Sequence, residues 1–166
     1  MALDRIDLAI LARLARNARI SHVELPQQMG LSTTACARRI KALEENRIVT
    51  GYGTTFNLEA LDLGTTVIVR ISLDSQSKEA LQAFETAIAD CPSVVRCMLL
   101  SGSDDYLVIV AVSGIRDFES VHELQLSRLP GVARMQSSFA LREVVSRVLP
   151  PALFRGPERA PTIARR

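Results

Sequence analysis

The sequence predicts an α+β fold: an N-terminal three-helix helix-turn-helix domain followed by a βαββαβ ferredoxin-like domain. Two observations carry this. Before residue 47, apolar residues recur at helical spacing and are interrupted only by short turns. From Thr65 the period changes, and β-prone runs alternate with amphipathic segments in the order βαββαβ. That order is the split βαβ arrangement, whose four-stranded antiparallel sheet carries helices on one face.

In "LDRIDLAILARLARNARI", residues Leu3, Ile6, Ile10, Leu11 and Leu14 share one helical face, and Asp4 can cap the start. The segment "SHVELPQQMG" begins a second helix, with Ser21 and Glu24 at capping-box spacing. Gly30 can end it in the left-handed conformation. Ser32 caps a third helix whose inner stripe is Cys36, Ile40 and Leu43. A helix, a glycine turn and a second helix make the helix-turn-helix plan. "IVTGYGTTF" reads as an extended arm or linker strand, and "NLEALDLG" as a short turn or helical piece.

"TTVIVRISL" is the first strand of the second half. "SKEALQAFETAIADCP" is a helix with Leu81, Phe84, Ala87 and Ile88 on one side. "SVVRCMLLSG" and "DYLVIVAVSG" are strands joined at "SGSDD". "IRDFESVHELQLSRLPG" is a helix that turns Phe118, Val121, Leu124 and Leu129 inward. "VARMQSSFALREVVSRVL" is a long last strand or strand pair. The helix-free sheet face is expected to be rich in Val, Ile and Leu and to need a cover, most simply a second copy of the sheet. "LPPALFRGPERAPTIARR" reads as a flexible Pro- and Arg-rich tail.

Composition narrows the function classes. Apolar residues make up 48% of the chain, enough for a core, and no 18-residue apolar tract suits a membrane span. The start "MALDRIDLAI" has acids where a secretion signal needs an apolar run, so a cytoplasmic location is expected. The three cysteines, Cys36, Cys91 and Cys97, form no metal-binding spacing. The net charge of +2 announces no global basic field. Residues 1–64 hold eight Lys/Arg against seven Asp/Glu, 65–149 eight against ten, and the tail four against one. A nucleic-acid surface therefore has to be local.

The third helix offers such a surface. A recognition helix enters the major groove with its N-terminal residues towards base edges. Ser32, Thr33 and Thr34 supply hydroxyls there. Arg38 and Arg39 supply bidentate donors, and Lys41 a phosphate charge. The alternative is an ordinary solvated helix face. The loop "SGSDDYL" is a second candidate. Gly102 allows close backbone approach, Asp105 can accept an ammonium group, and Tyr106, Ser137 and Ser138 can complete a pocket. As a hairpin acid, Asp105 is expected outside the core. His22 and His122 are isolated, "GYG" at 51–53 is no dinucleotide fingerprint, and no GxSxG or Walker loop occurs. No catalytic residue, metal ligand or cofactor is assigned.

Taken in order, "DRIDLAILARLARNARIS", "ELPQQMGLS", "RRIKALEENRIVTGY", "GSDDYL" and "LPGV" resemble the Lrp/AsnC (feast/famine) regulators from about Leu3 to Val145. The resemblance implies a DNA-binding helix-turn-helix at 1–49 and a hinge strand and linker at 50–64. It implies an ACT-like effector-sensing and oligomerisation domain at 65–149, with the tail at 150–166. It implies double-stranded DNA as partner at pseudo-palindromic sites. It also implies a homodimer, often grouped into octamers, and a small effector, an amino acid, between sensing domains. Gly102, Asp105 and Tyr106 match the family's loop. Pro26 replaces an alanine inside the second helix, Ser137 replaces a threonine, and Arg47 replaces a helix-ending glycine, a role left to Asn46. Two other readings share the architecture: a DNA-compacting protein with little effector response, and a decarboxylase-like enzyme.

Overall fold

The computed structural model describes residues 2–154, so the tail reading for 155–166 falls outside the described residues. The described residues divide into two compact units, one combining 2–55 with 145–154, the other spanning 56–144. The architecture is α+β: three helices, then a four-stranded antiparallel sheet with two helices.

In the first unit, α1 (Arg5–Leu14), α2 (Glu24–Met29) and α3 (Thr33–Glu45) enclose a small core of Ile10, Leu11, Leu25, Cys36 and Leu43. Asp4 caps α1 in a complete capping box with Asp7. Ser32 caps α3 through the Ala35 amide at 3.2 Å. The capping box expected for α2 is only half made. Ser21 accepts from the Glu24 amide at 2.9 Å, but the Glu24 carboxylate turns to Gln28 at 2.9 Å. Because α2 starts at Glu24 rather than Ser21, Pro26 lies in its first turn. An amide there has no intrahelical acceptor, so the missing N–H of Pro26 leaves no helical bond unmade.

Two other features depart from the sequence reading. The left-handed residue after α3 is Arg47 itself (φ 55°), not Asn46 (φ −83°). Asn46 instead donates its side-chain amide to the Ala42 carbonyl at 2.8 Å. The amides of Arg47 and Ile48 close on the carbonyls of Glu44 and Leu43, the bonding of a Schellman motif. The run after it forms no strand: a strand needs a ladder partner, and no described strand pairs with 50–57. The tail is not free from its start. Pro151–Phe154 form one 3-10 turn, and Phe154 packs half-buried against the first unit's core.

In the second unit the sheet comprises β1 (Thr65–Leu73), β2 (Val94–Leu99), β3 (Tyr106–Val112) and β4 (Val132–Phe139), in the order β2-β3-β1-β4. Helices α4 (Lys78–Ala89) and α5 (Ile115–Leu124) cover one face. The pairing of Val67 with Val110, Val69 with Val108 and Ile71 with Tyr106 puts these residues on the helix side, against Phe84, Ile88, Phe118 and Val121. The valines are thus spent on the covered face. The other face carries Ile68, Met98, Leu107 and Ile109, mixed with Arg70, Arg96 and Gln136. It is less apolar than the strand sequences suggest.

Two element ends also differ. Leu124 is exposed, because α5 ends there and the 3-10 turn that follows sends Leu126 inward instead. The last strand stops at Phe139 rather than running on through 140–148.

Arg47→Gly should raise stability by about 0.5–1 kcal/mol. The left-handed conformation costs an L residue roughly 1–2 kcal/mol, partly offset by glycine's greater freedom in the unfolded chain. Thermal unfolding of the two proteins measures the difference.

Candidate functional site

Helix α3 presents three faces. Cys36 and Leu43 point into the core. At 100° per residue, Thr34, Arg38 and Lys41 lie on the opposite side, and all three are exposed. Arg38 makes no ion pair among the described residues. Lys41 is paired only with the exposed Glu45 at 3.7 Å, a contact of the kind that contributes little. Ser32 and Thr33 lie at the exposed N-terminal end, where the first amides of α3 point outward.

Arg39 differs from its neighbour. It follows Cys36 by three and precedes Leu43 by four, so it lies beside the core stripe rather than off it. Its Nη1 donates to Asp4 Oδ2 and to Asp7 Oδ1, each at 2.7 Å. Asp7 is 2% exposed. The Asp7 amide, then the Arg39 guanidinium, hold the Asp4 carboxyl below its ordinary range. The stability Asp4 contributes is therefore present at neutral pH and lost only as pH falls through that lowered value. The sequence reading grouped Arg39 with the DNA-facing cations; the structure directs its guanidinium to α1.

On α3's third flank, a cleft of about 1000 Å³ is lined by Ile20, His22, Leu25, Cys36, Ile40 and Tyr52 among others. Tyr52 donates its hydroxyl to Glu44 at 2.6 Å, which ties the start of the extended arm to α3.

The second candidate site is brought together only in part. Gly102 stands at φ +150° in the exposed hairpin between β2 and β3. A Cβ there would meet nothing within 4 Å, so glycine is required by the backbone conformation and not by a close neighbour. Asp105 is 7% exposed, contrary to expectation. Its carboxylate accepts from the Leu73 amide at 2.8 Å and from Gln76 Nε2 at 2.7 Å. Its own amide donates to the Ile71 carbonyl at 2.9 Å. Burial of a polar group without partners is costly, and here each oxygen has one.

Tyr106 faces the helices, packs on Phe84 and donates to Glu85 at 3.0 Å. Burial, then Glu85, pushes its phenol up to about 12, so it remains a donor at neutral pH. It borders a small cleft of about 340 Å³ with Cys97 and Leu99. Ser137 pairs with Val69 on the helix side, whereas Ser138 pairs with Ile68 on the open side. The two serines therefore face opposite sides of the sheet. Sequence reasoning missed Asp104, which accepts from Arg134 Nη2 at 3.1 Å and lies 3.5 Å from Ser72 Oγ. The register partnership of Ser72 with Arg134 places this pair at the end of the open face, next to the hairpin. Among the described residues no cluster of His, Cys, Asp and Glu could hold a metal ion, and no helix is long and apolar enough to cross a membrane.

Asp105→Asn should destabilise the second unit by about 1.5–3 kcal/mol, the range for a hydrogen-bonded charged group whose partners stay buried. Urea unfolding measures this. A variant as stable as the parent would show that the carboxylate carries no structural load.

Residues 3–44 match the AsnC-type helix-turn-helix domain, and residues 66–150 match the Lrp/AsnC ligand binding domain. The chain is 39% identical over 149 residues to the Bkd operon transcriptional regulator of Pseudomonas aeruginosa, covering 90% of this chain and 97% of that one. It is 35% identical over 142 residues to the leucine-responsive regulatory protein of Escherichia coli, covering 86% and 87%. A transcriptional regulator of Neisseria meningitidis, solved as an L-Met complex, superposes with a TM-score of 0.85 at 33% identity, over 90% of this chain and 97% of that one. With a helix-turn-helix ahead of a ligand-binding βαββαβ domain, and with these relatives along most of its length, the chain belongs to the Lrp/AsnC family of transcriptional regulators.

Proposed function

We propose that this regulator reads pseudo-palindromic DNA sites as a homodimer or a larger assembly of dimers, and that an amino acid bound between sensing domains tunes its DNA affinity. Residues 1–49 read the DNA, 50–64 form the hinge and linker, 65–149 sense the effector and assemble the protein, and 150–166 form the tail. The protein acts in the cytoplasm on the nucleoid. The observation that carries the DNA reading is the outward face of α3, where Thr34, Arg38 and Lys41 stand exposed opposite the core. Ser32 and Thr33 add hydroxyls and free amides at its start, where phosphates bind well. Two-fold assemblies present two such helices, which accounts for two-fold-related half-sites.

The effector reading takes a narrower form than the sequence suggested. Gly102 and Ser138 remain exposed, but Ser138 lies four strand positions from Arg134, so of the two only Gly102 is near the Asp104–Arg134 pair, which brings one charge of each sign. Asp105 and Tyr106 act from beneath, by holding the hairpin to the end of β1 and to α4. Relatives are named for leucine or solved with L-methionine, both with apolar side chains. Those two amino acids therefore come first in a thermal-shift screen of all twenty. A ligand at about 100 times its Kd should add about 2.7 kcal/mol of stability. The same ligand must then change affinity for a preferred DNA site, because coupling between two sites is reciprocal. If no amino acid shifts the melting temperature, and footprinting shows broad coverage without a preferred site, the protein compacts DNA and does not sense amino acids.

Arg38→Ala should leave the fold intact and weaken DNA binding. If Arg38 reads a base, about 1–3 kcal/mol is lost and specificity relaxes at one base pair. If it binds phosphate, all sequences weaken alike and the salt slope falls by about 0.9. Fluorescence anisotropy across a salt series distinguishes these. Unchanged affinity would remove the outer face of α3 from the interface.

A further inference from the structure

We propose that Arg39 is a positioning residue, which sets the roll of α3 against α1 through Asp4 and Asp7 and makes no DNA contact itself. The proposal rests on the DNA-reading role of α3. Its foundation is the double contact from one guanidinium nitrogen to two carboxylates at 2.7 Å each. Those carboxylates are also the two halves of α1's capping box. The Asp7 amide donates to Asp4 Oδ1 at 2.8 Å, and the Asp4 amide to Asp7 Oδ2 at 3.0 Å. The first turn of α1 and the middle of α3 are therefore joined at one point by directional, charge-assisted bonds.

The rest of the contact between these helices is apolar and small. Apolar packing has no preferred direction and resists rolling weakly. A helix with side chains is about 10–12 Å across, so a 10° roll moves an outer atom by about 1 Å. That displacement is enough to spoil a hydrogen bond to a base edge. Arg39 lies one residue, or 100°, from Arg38, and its side chain is 29% exposed. To reach DNA it would have to abandon Asp7, which is buried. A buried carboxylate stripped of its counter-ion is strongly unfavourable.

A direct contact and a positioning role predict opposite signs for one substitution. If Arg39 bound phosphate, Asp7 would be a competitor, and Asp7→Asn would tighten DNA binding. If Arg39 positions α3, Asp7→Asn weakens it. The experiment uses the full chain, a duplex selected by the parent protein from a random pool, and a scrambled duplex of the same length. Anisotropy is read at several salt concentrations, at a temperature where circular dichroism shows each variant folded. Arg39→Ala and Asp7→Asn should each weaken binding to the selected duplex at least tenfold, with the scrambled duplex and the salt slope unchanged. The double variant should be no worse than the poorer single one.

Arg39→Lys keeps the charge but not the planar fork, and should recover only part of the loss. A salt slope reduced by about 0.9 in Arg39→Ala would overturn the proposal in favour of a phosphate contact. An unchanged ratio of selected to scrambled affinity in folded variants would overturn it in favour of a purely structural ion pair. If neither variant folds, Asp4→Asn decides, since Asp4 is half-exposed: a threefold or larger fall in that ratio supports positioning, and no fall overturns it. Failure of the parent reading itself would appear separately, as an Arg38→Ala protein with undiminished DNA binding.

Discussion

The register between β1 and β3 is the constraint on which the second unit depends. Side chains alternate along a strand, so a slip of one residue would send Val67, Val69, Ile71, Val108 and Val110 to the open face together. Both helices would then have nothing to cover. Asp105 pins that register at one end. Its amide binds the Ile71 carbonyl, its carboxylate binds the Leu73 amide, and its carbonyl accepts from Leu100. One residue thus joins the end of β1, the hairpin and, through Gln76, the approach to α4. The hairpin that carries Gly102 projects from a fixed base.

The first unit is organised by the same means at smaller scale. Five buried residues form its core, which is little for three helices, so polar contacts carry much of the definition. Asp4 and Asp7 satisfy the start of α1 and, through Arg39, hold α3. Tyr52 and Glu44 hold the chain just after α3. The outer face of α3 is left with exposed side chains that the packing of this unit does not use, and Arg38 and Arg39, though adjacent, are divided between that face and the contact with α1.

Local signals proved legible in the sequence wherever one helix or turn determines the outcome. Asp4 and Ser32 cap helices, Gly30 ends one, and the inward faces of α1 and α4 follow their apolar spacing. Illegible features were set by partners far along the chain. Asp105 meets Leu73 across 32 positions, and Arg39 meets Asp7 across the same separation. An acid in a hairpin or a cation on a helix looks solvated until such a partner is known. Arg39 did leave a trace, since its spacing from Cys36 and Leu43 is that of a core-facing position. Arg47 left none, because a positive φ at arginine comes from the bonding after the helix and not from residue preference. The open sheet face was misjudged because counting valines along a strand does not say which side they occupy.

The anchoring of Phe154 changes the topology of the chain. The first unit takes residues from both sides of the second in sequence, so 56–144 is held as a loop whose two ends lead back to one body. A folded insert keeps its ends at a set distance, whereas an unfolded one of that length lets them wander and dilutes one end with respect to the other. Melting the insert therefore lowers the local concentration of Phe154 at the helices. The two units are thus joined by the chain at both ends of the insert.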